Sequence, residues 1–339
     1  NKLAPTTKST QSFNNKFGVP LSLFNVKKND KFAVLEVGMD KAGEINNLTQ
    51  IIKPNLGVIT NISYAHIKNF KSLDGIARAK SEIINNIVEG GKIILNQDDE
   101  YFNFLKKIAL KKNIHVTSFS KKNSLSDIFI KKIITTKTNY KIFINIKNLT
   151  KTFLIKKNLY PYLNNILASV AVISEFYNLK NINEKIFYNF NLPFSRGDLT
   201  KIKLNNKTIY LTDESYNSNP LSLKFAIENF NKFKKNNKYL ILGDMLELGK
   251  FSKILHKKVS KIINKTSIKK VYVIGNYIKE TFYGISRKKR GRILRNKDEI
   301  YELIKNDLNN NDHLMIKASN STGLNTIASN IKKGKVYAI

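Results

Sequence analysis

The sequence predicts an α/β protein built of two domains. Three observations carry this. Short apolar runs alternate with longer amphipathic stretches, as strands alternate with helices. Residues 126–155 switch to a period of two, the mark of an antiparallel meander. A stretch punctuated by Pro193 and Gly197, Asn191 to Asp198, then separates this first pattern from a second α/β pattern. With 339 residues and 42% hydrophobic content, the chain exceeds one ordinary domain and can bury two cores.

In order, Phe32 to Val37 reads as a buried strand, Gly57 to Ile62 as a second and Lys92 to Leu95 as a third. Between the last two, Asp74 to Val88 has helical spacing. Ile76, Ala79, Ile83, Ile84 and Ile87 share its apolar face, and Asp74 is placed as N-cap. Ile128, Ile130 and Ile133, then Tyr140, Ile142 and Ile144, supply the alternation of the meander. Leu163 to Tyr177 is a strongly apolar helix. Past the break, Lys201 to Leu211 reads as a hairpin turning at Asn205-Asn206. Strand-like runs follow at Tyr239 to Gly243, Val271 to Gly275 and His313 to Lys317. Helices are expected at Leu221 to Phe233, Ser252 to Asn264 and Asp298 to Leu308. No internal repeat is present.

A formal charge of +34 invites a nucleic acid or an anionic membrane as partner. Lys, Asn and Ile are all abundant, as in proteomes biased toward AT-rich codons. The lysines are spread along the chain, with only short clusters such as Arg287-Lys288-Lys289-Arg290. Charge alone therefore decides nothing, and no nucleic acid is expected. The absence of Cys excludes disulfides, thiolate metal sites and Cys nucleophiles. No run approaches the roughly 18 apolar residues of a membrane span. The polar start, Asn1 to Thr10, lacks a signal peptide's apolar segment and an initiator Met, so it is read as processed or cut. A cytoplasmic monomer is the expectation.

Several strand ends carry candidate chemistry. Glu36 closes the first strand, where α/β proteins bind ligands. His66 follows the second, and with Glu36 it suits a hard divalent ion whose other positions phosphates fill. Lys80 falls between apolar helix positions, where a snorkelling lysine is the commonplace reading. Asp213-Glu214-Ser215-Tyr216-Asn217-Ser218-Asn219-Pro220 links a strand to a helix. It holds more polar groups than one cap requires. Gly243-Asp244-Met245-Leu246-Glu247-Leu248-Gly249 does not match a dinucleotide fingerprint. Lys317-Ala318-Ser319-Asn320-Ser321, after the last strand, suits a phosphate or carboxylate. None of the 15 glycines opens a G-x-x-x-x-G-K-[ST] phosphate loop.

Taken in order, these segments resemble the Mur ligase family, over nearly the whole chain. Asn14-Asn15-Lys16-Phe17-Gly18-Val19-Pro20-Leu21 is similar to its N-N-x-x-G-V-P-L. Glu36-Val37-Gly38 with Gly43-Glu44-Ile45 is similar to E-x-G…G-E-I, and Thr60-Asn61 with Ala65-His66 to T-N…A-H. Ala79-Lys80-Ser81-Glu82-Ile83 is similar to A-K-x-E-I, and Asn96-Gln97-Asp98 to N-x-D. Gly243 to Gly249 with His256 is similar to G-D-M-x-E-L-G…H. Asp213 to Pro220 resembles D-D-S-Y-N-A-N-P, the mark of the family's dipeptide-adding branch.

The resemblance implies an incomplete central ATPase-type domain, residues 1–194, with a mostly parallel sheet and a small antiparallel one. A Rossmann-like C-terminal domain, residues 195–339, would follow. It implies an ATP- and Mg²⁺-dependent ligase joining D-alanyl-D-alanine to UDP-N-acetylmuramoyl-tripeptide through an acyl phosphate. Glu36, His66 and a carbamylated Lys80 would hold the metal. Asn165 would contact adenine and Arg196 the ATP phosphates. Asp213, Tyr216, Asn217 and Asn219 would contact nucleotide. Lys317 and Ser319 would lie near the dipeptide, and Asn14 and Asn15 near the nucleotide-sugar. The family's phosphate loop precedes the segment matched by Asn14, so these residues alone are expected not to turn over ATP. Its G-R-H-N reads Leu159-Tyr160-Pro161-Tyr162 here, and K-G-S-R reads Lys317-Ala318-Ser319-Asn320. Another Mur-type amino-acid or glutamate ligase, or a basic nucleic-acid-binding protein, are the alternatives. Dipeptide preference separates the first, and steeply salt-dependent binding indifferent to Mg-ATP the second.

Overall fold

The computed structural model describes residues 2–10, 12–193, 195–204, 206–233 and 237–334. The chain divides into two compact units, Asn1–Phe190 and Asn191–Ile339. No helix among the described residues is long and apolar enough to cross a membrane.

The first unit runs β1 (Thr6–Lys8), α1 (Gly18–Phe24), β2 (Phe32–Val34), α2 (Glu44–Ile52), β3 (Leu56–Ile59) and α3 (Leu73–Ser81). It continues through β4 (Lys92–Asn96), α4 (Phe102–Lys111), β5 (His115–Ser120), β6 (Ile128–Thr135), β7 (Asn139–Ile146), β8 (Leu149–Lys156) and α5 (Leu163–Phe176). β3 to β8 form one six-stranded sheet in sequence order. Strands β3 to β6 are parallel, and β6, β7 and β8 antiparallel. The meander thus extends the parallel sheet through a short ladder, Phe119 to Ile128 and Ser120 to Phe129, instead of standing apart. Ile93, Ile94 and Leu95 are fully buried, as expected for a central parallel strand covered on both faces. On β7, Ile142, Ile144 and Ile146 are buried at period two.

Three expectations need correction. Phe32 to Val37 is not a buried strand. Only Phe32–Val34 is extended, paired with β1 alone, and Val34 is largely exposed. An apolar run on a two-stranded ribbon has nothing to cover its outer face. Asp74 is not the N-cap of α3. Ser72 holds that position, its hydroxyl accepting from the Gly75 N–H, while Asp74 sits in the first turn and accepts from the Tyr101 hydroxyl. The helix also tightens into a 3₁₀ segment, Glu82–Asn86, instead of running to Val88.

The second unit runs β9 (Asp198–Leu204), β10 (Lys207–Asp213), α6 (Pro220–Asn231), β11 (Lys238–Gly243), α7 (Ser252–Asn264) and β12 (Lys270–Ile274). α8 (Lys279–Gly284), β13 (Arg290–Ile293), α9 (Glu299–Asn306), β14 (His313–Lys317) and α10 (Leu324–Lys332) complete it. Its sheet has the order β13-β12-β11-β14-β10-β9, all parallel except β9. The hairpin of β9 and β10 is as read, though Asn205, placed at its turn, lies outside the described residues. α7 buries Leu255, Val259 and Ile263 at helical spacing and turns its lysines outward. β14 lies between β10 and β11, so the connection from β10 to β11 crosses over it. The crevice beyond the C-terminal ends of these three strands is where such sheets bind ligands.

Candidate active site

In the first unit the loop after β3 is held from three sides. Asn96 Nδ2 donates to the Thr60 carbonyl (3.0 Å), Lys80 Nζ to the Asn61 carbonyl (2.8 Å), and the Ile62 N–H to Asp99 (2.7 Å). Lys80 is fixed by α3, whose phase buries Ile76, Ala77 and Ala79 around it. Burial lowers its pKa, and the Asp99 charge opposes that only in part. Glu82 accepts from the N–H groups of Gly43 (2.7 Å) and Asn46 (3.0 Å), which anchors the start of α2.

Glu36 is exposed, and its Oε1 accepts from Asn14 Nδ2 (2.9 Å). The Gly38 N–H donates to the Asn14 carbonyl (2.7 Å), so Asn14 braces the strip that carries Glu36. His66 takes a left-handed backbone (φ 59°), and its Nδ1 lies 3.0 Å from Asp40 Oδ1. The ring therefore pairs with Asp40, a partner that sequence reading missed. Among the described residues, no three His, Asp or Glu side chains gather at metal-binding distance. Asn15 Oδ1 accepts from the N–H groups of Phe17 and Gly18, an Asx cap on α1. Asn165 is exposed in the first turn of α5.

In the second unit, a cavity of about 350 Å³ is lined by Tyr216, Asn217, Leu246, Glu247 and the run Ser319 to Ser321. These residues follow β10, β11 and β14, at the C-terminal ends of the central strands. Ser319 ties all three loops together. Its hydroxyl accepts from the Leu246 N–H (2.9 Å) and donates to the Ser218 carbonyl (3.2 Å). Below it, Lys317 is fully buried, with Nζ 3.0 Å from the Asn217 carbonyl and 3.5 Å from Glu214 Oε2. Burial pushes the Lys317 pKa down and the Glu214 pKa up, each opposed by the other's charge. Arg196 stacks on the Tyr216 ring, 4.1 Å from its centre.

Asp213 is wholly buried and fully engaged. Oδ1 accepts from the Ser215 N–H and hydroxyl, and Oδ2 from the Ser195 hydroxyl and Lys332 Nζ. Asn219 is the N-cap of α6 in a capping box with Ser222. The next loop is braced likewise. Asp244 accepts from the N–H groups of Asn276 (2.9 Å) and Ile278 (2.7 Å). His256 Nε2 accepts from the Met245 N–H while Nδ1 donates to the Ser252 carbonyl, which fixes a neutral ring.

Family models match the chain in two stretches. Residues 1–173 match the Mur ligase middle domain, and residues 200–320 the Mur ligase glutamate ligase domain. The chain belongs to the Mur ligase family. A UDP-N-acetylmuramoyl-tripeptide–D-alanyl-D-alanine ligase of Buchnera aphidicola subsp. Baizongia pistaciae is 35% identical over 334 residues, covering 97% of this chain and 70% of that protein. MurF from Acinetobacter baumannii superposes with a TM-score of 0.85 at 24% identity, over 98% of this chain and 71% of that one. MurF ligase from Thermotoga maritima in complex with ADP gives 0.84 at 21% identity, over 98% and 74%. These two likenesses concern the fold.

In this Mur ligase chain, the polar block from Asp213 to Asn219 divides by role. Tyr216 and Asn217 line the cavity, Asp213 is an internal brace and Asn219 a helix cap. Lys317 lies beneath the cavity, and Ser319 both lines and braces it. Lys332 and Ser195, which hold Asp213, lie far from it in sequence and carry no local signal. Asp244 and His256 had a signal only as part of a family motif.

Proposed function

We propose that the protein carrying this chain, with its family's phosphate loop, catalyses ATP-dependent amide-bond formation, adding D-alanyl-D-alanine to UDP-N-acetylmuramoyl-tripeptide in peptidoglycan precursor synthesis. It does so in the cytoplasm, as a monomer. The likeness to a ligase of that specificity along almost all of the chain supports the substrates. Lys80 is the observation that supports the chemistry. A carboxylate oxygen of the tripeptide attacks the γ-phosphorus of ATP, and ADP leaves. The dipeptide amine then attacks the acyl phosphate carbonyl, phosphate leaves, and a proton is lost from nitrogen.

The residues fit a magnesium ion. Glu36 offers an exposed carboxylate with only Oε1 engaged, and His66 a second donor. Half-buried Lys80, its pKa lowered chiefly by desolvation, would lose its proton more readily than a free lysine and so would add carbon dioxide to become an oxygen donor. Two or three protein donors suffice for a hard ion that phosphates also bind. When bound, the ion neutralises charge on the transferring phosphoryl group. Tyr216, Asn217 and Arg196 contact nucleotide, and Asn165 contacts adenine. Ser319 faces the dipeptide, with Lys317 holding the loop above it. Asp213 and Asn219 position the nucleotide-facing loop, and Asn14 and Asn15 the nucleotide-sugar side.

The test is phosphate release with product mass. Release by the full-length protein should require ATP, magnesium, the UDP-linked tripeptide and D-alanyl-D-alanine, and the product should gain one dipeptide. Equal turnover with D-glutamate or a single amino acid in place of the dipeptide overturns the assignment.

A further inference from the structure

The chain has six arginines among its 59 cationic residues, and four of the six lie between positions 287 and 295. Codon bias explains lysines spread everywhere. It does not explain arginines gathered in one place. All four sit at one edge of the second unit's sheet, on the 3₁₀ turn Arg287–Lys289, on β13 and just after it. Among the described residues β13 pairs only with β12, which leaves its other side as the sheet edge.

Folding accounts for half of the cluster. Arg290 donates to the Tyr283 and Ile285 carbonyls at the end of α8, and Arg292 pairs with Asp307 (3.3 Å). Lys289 is buried, with Nζ on the Thr266 and Ile268 carbonyls. Arg287, Lys288, Arg295 and Lys297 remain. All four are exposed and have no side-chain partner among the described residues. Between residues 285 and 298 the only carboxylate is Asp298. Glu299 and Glu302 follow on α9, Glu299 accepting from the Arg295 N–H. Tyr283, whose carbonyl accepts from Arg290, is 60% exposed.

We propose that this edge docks on an anionic lipid surface. Guanidinium groups match phosphate oxygens in a forked geometry that lysine cannot copy. Exposed tyrosines next to cations suit the membrane–water boundary, where a ring has one apolar and one polar side. A single-stranded nucleic acid would call for aromatic platforms along a groove. Here the four cations flank one short edge strand, with Tyr283 next to Arg290. Each surface cation contributes roughly a five-fold factor in partitioning to an anionic membrane, so two contribute roughly thirty-fold.

The experiment is co-sedimentation of the protein with vesicles of phosphatidylcholine, with and without phosphatidylglycerol. Three proteins are compared: wild type, Arg287→Gln with Arg295→Gln, and Lys107→Gln with Lys111→Gln, an equal charge loss on exposed α4. Wild type should bind only the anionic vesicles and release them in high salt. The arginine variant should bind roughly thirty-fold more weakly, and the lysine variant as wild type, with ligase turnover and thermal melting unchanged in both. Equal weakening in both variants overturns the proposal, since the attraction would then be diffuse. So does unchanged vesicle binding by the arginine variant. Two accompanying results would name its alternative. Self-association would leave the arginines as guards of the sheet edge, and lost affinity for a single-stranded oligonucleotide would make them a nucleic-acid site.

Discussion

Lowering the pH from 7 to 4 should cost the second unit about 3 kcal/mol through His313 alone. This ring opens β14 in a buried position, with Nε2 2.8 Å from the Thr212 hydroxyl. The rings of Phe230 and Phe233 each lie 4.7 Å from it, centre to centre. Burial, then the nearby Lys238 charge, pushes its pKa down from 6.5 to about 4. Between those two values the unfolded chain binds a proton that the folded chain refuses. Stability is therefore complete above pH 6.5, falls as pH drops toward 4, and stops falling on this account once the folded ring also protonates. At 1.36 kcal/mol for each pH unit of that window, the loss is about 3 kcal/mol.

His256 is also held neutral by burial and contributes in the same direction. The wild-type slope therefore contains both rings, and a difference measurement separates them. His313→Gln keeps a group able to bond Thr212 but cannot titrate. Hydrogen exchange of the β14 amides, corrected for intrinsic rates, reports opening of the unit between pH 4 and 7. Wild type should lose about 3 kcal/mol more than the variant across that range. Parallel pH profiles for the two proteins would show that His313 titrates normally and that its packing is looser than described.

Three further outcomes are expected. In the full-length protein, Lys80→Ala should abolish most turnover and recover part of it with added formate or acetate, which supply the missing oxygen donor; unaltered turnover removes Lys80 from the site. Gly275→Ala should destabilise the protein by about 2 kcal/mol or more, because φ there is 135° and a Cβ would lie 2.6 Å from the Asp244 carboxylate. A melting temperature within a degree of wild type would contradict that. Ser319→Ala strands the Leu246 N–H and the Ser218 carbonyl, a cost of about 1–3 kcal/mol. It should raise KM for the dipeptide more than it lowers kcat, and an unchanged KM would reduce Ser319 to a structural role.

What could be read from the sequence was what neighbours in sequence decide. Ile93-Ile94-Leu95 and Tyr239 to Leu242 are apolar on both faces, so they announce central strands. Ile142 and Ile144 announce a one-faced strand. The position of Lys80 between buried residues followed from the phase of α3. Phe32 to Val37 failed because its burial depends on what lies beside it. Asp74 was read as the cap, but Ser72 takes that place and Asp74 bonds instead to Tyr101, 27 residues on. The braces of the second site were hidden for the same reason. Lys332 reaches Asp213 across 119 residues and Ser319 reaches Leu246 across 73. A polar block such as Asp213 to Asn219 signals that something is bound there. It cannot say which members bind a ligand and which bind the fold.

The charge is the clearest case of composition misread without geometry. Lys238 donates to the Asn231 and Phe233 carbonyls, Lys289 to those of Thr266 and Ile268, and Lys207 to those of Lys305 and Leu308. These groups lie at or just past the C-terminal ends of α6, α7 and α9, where a helix leaves its last carbonyls without partners and its dipole favours a cation. Burial lowers the pKa of all three lysines, yet each is placed where two carbonyls favour the charged form. Their ammonium groups therefore act as internal hydrogen-bond donors and add little to the field seen by a partner. A substitution at any of them tests helix termination. Only cations such as Arg287 and Arg295, exposed and without a side-chain partner among the described residues, can report on what the surface attracts.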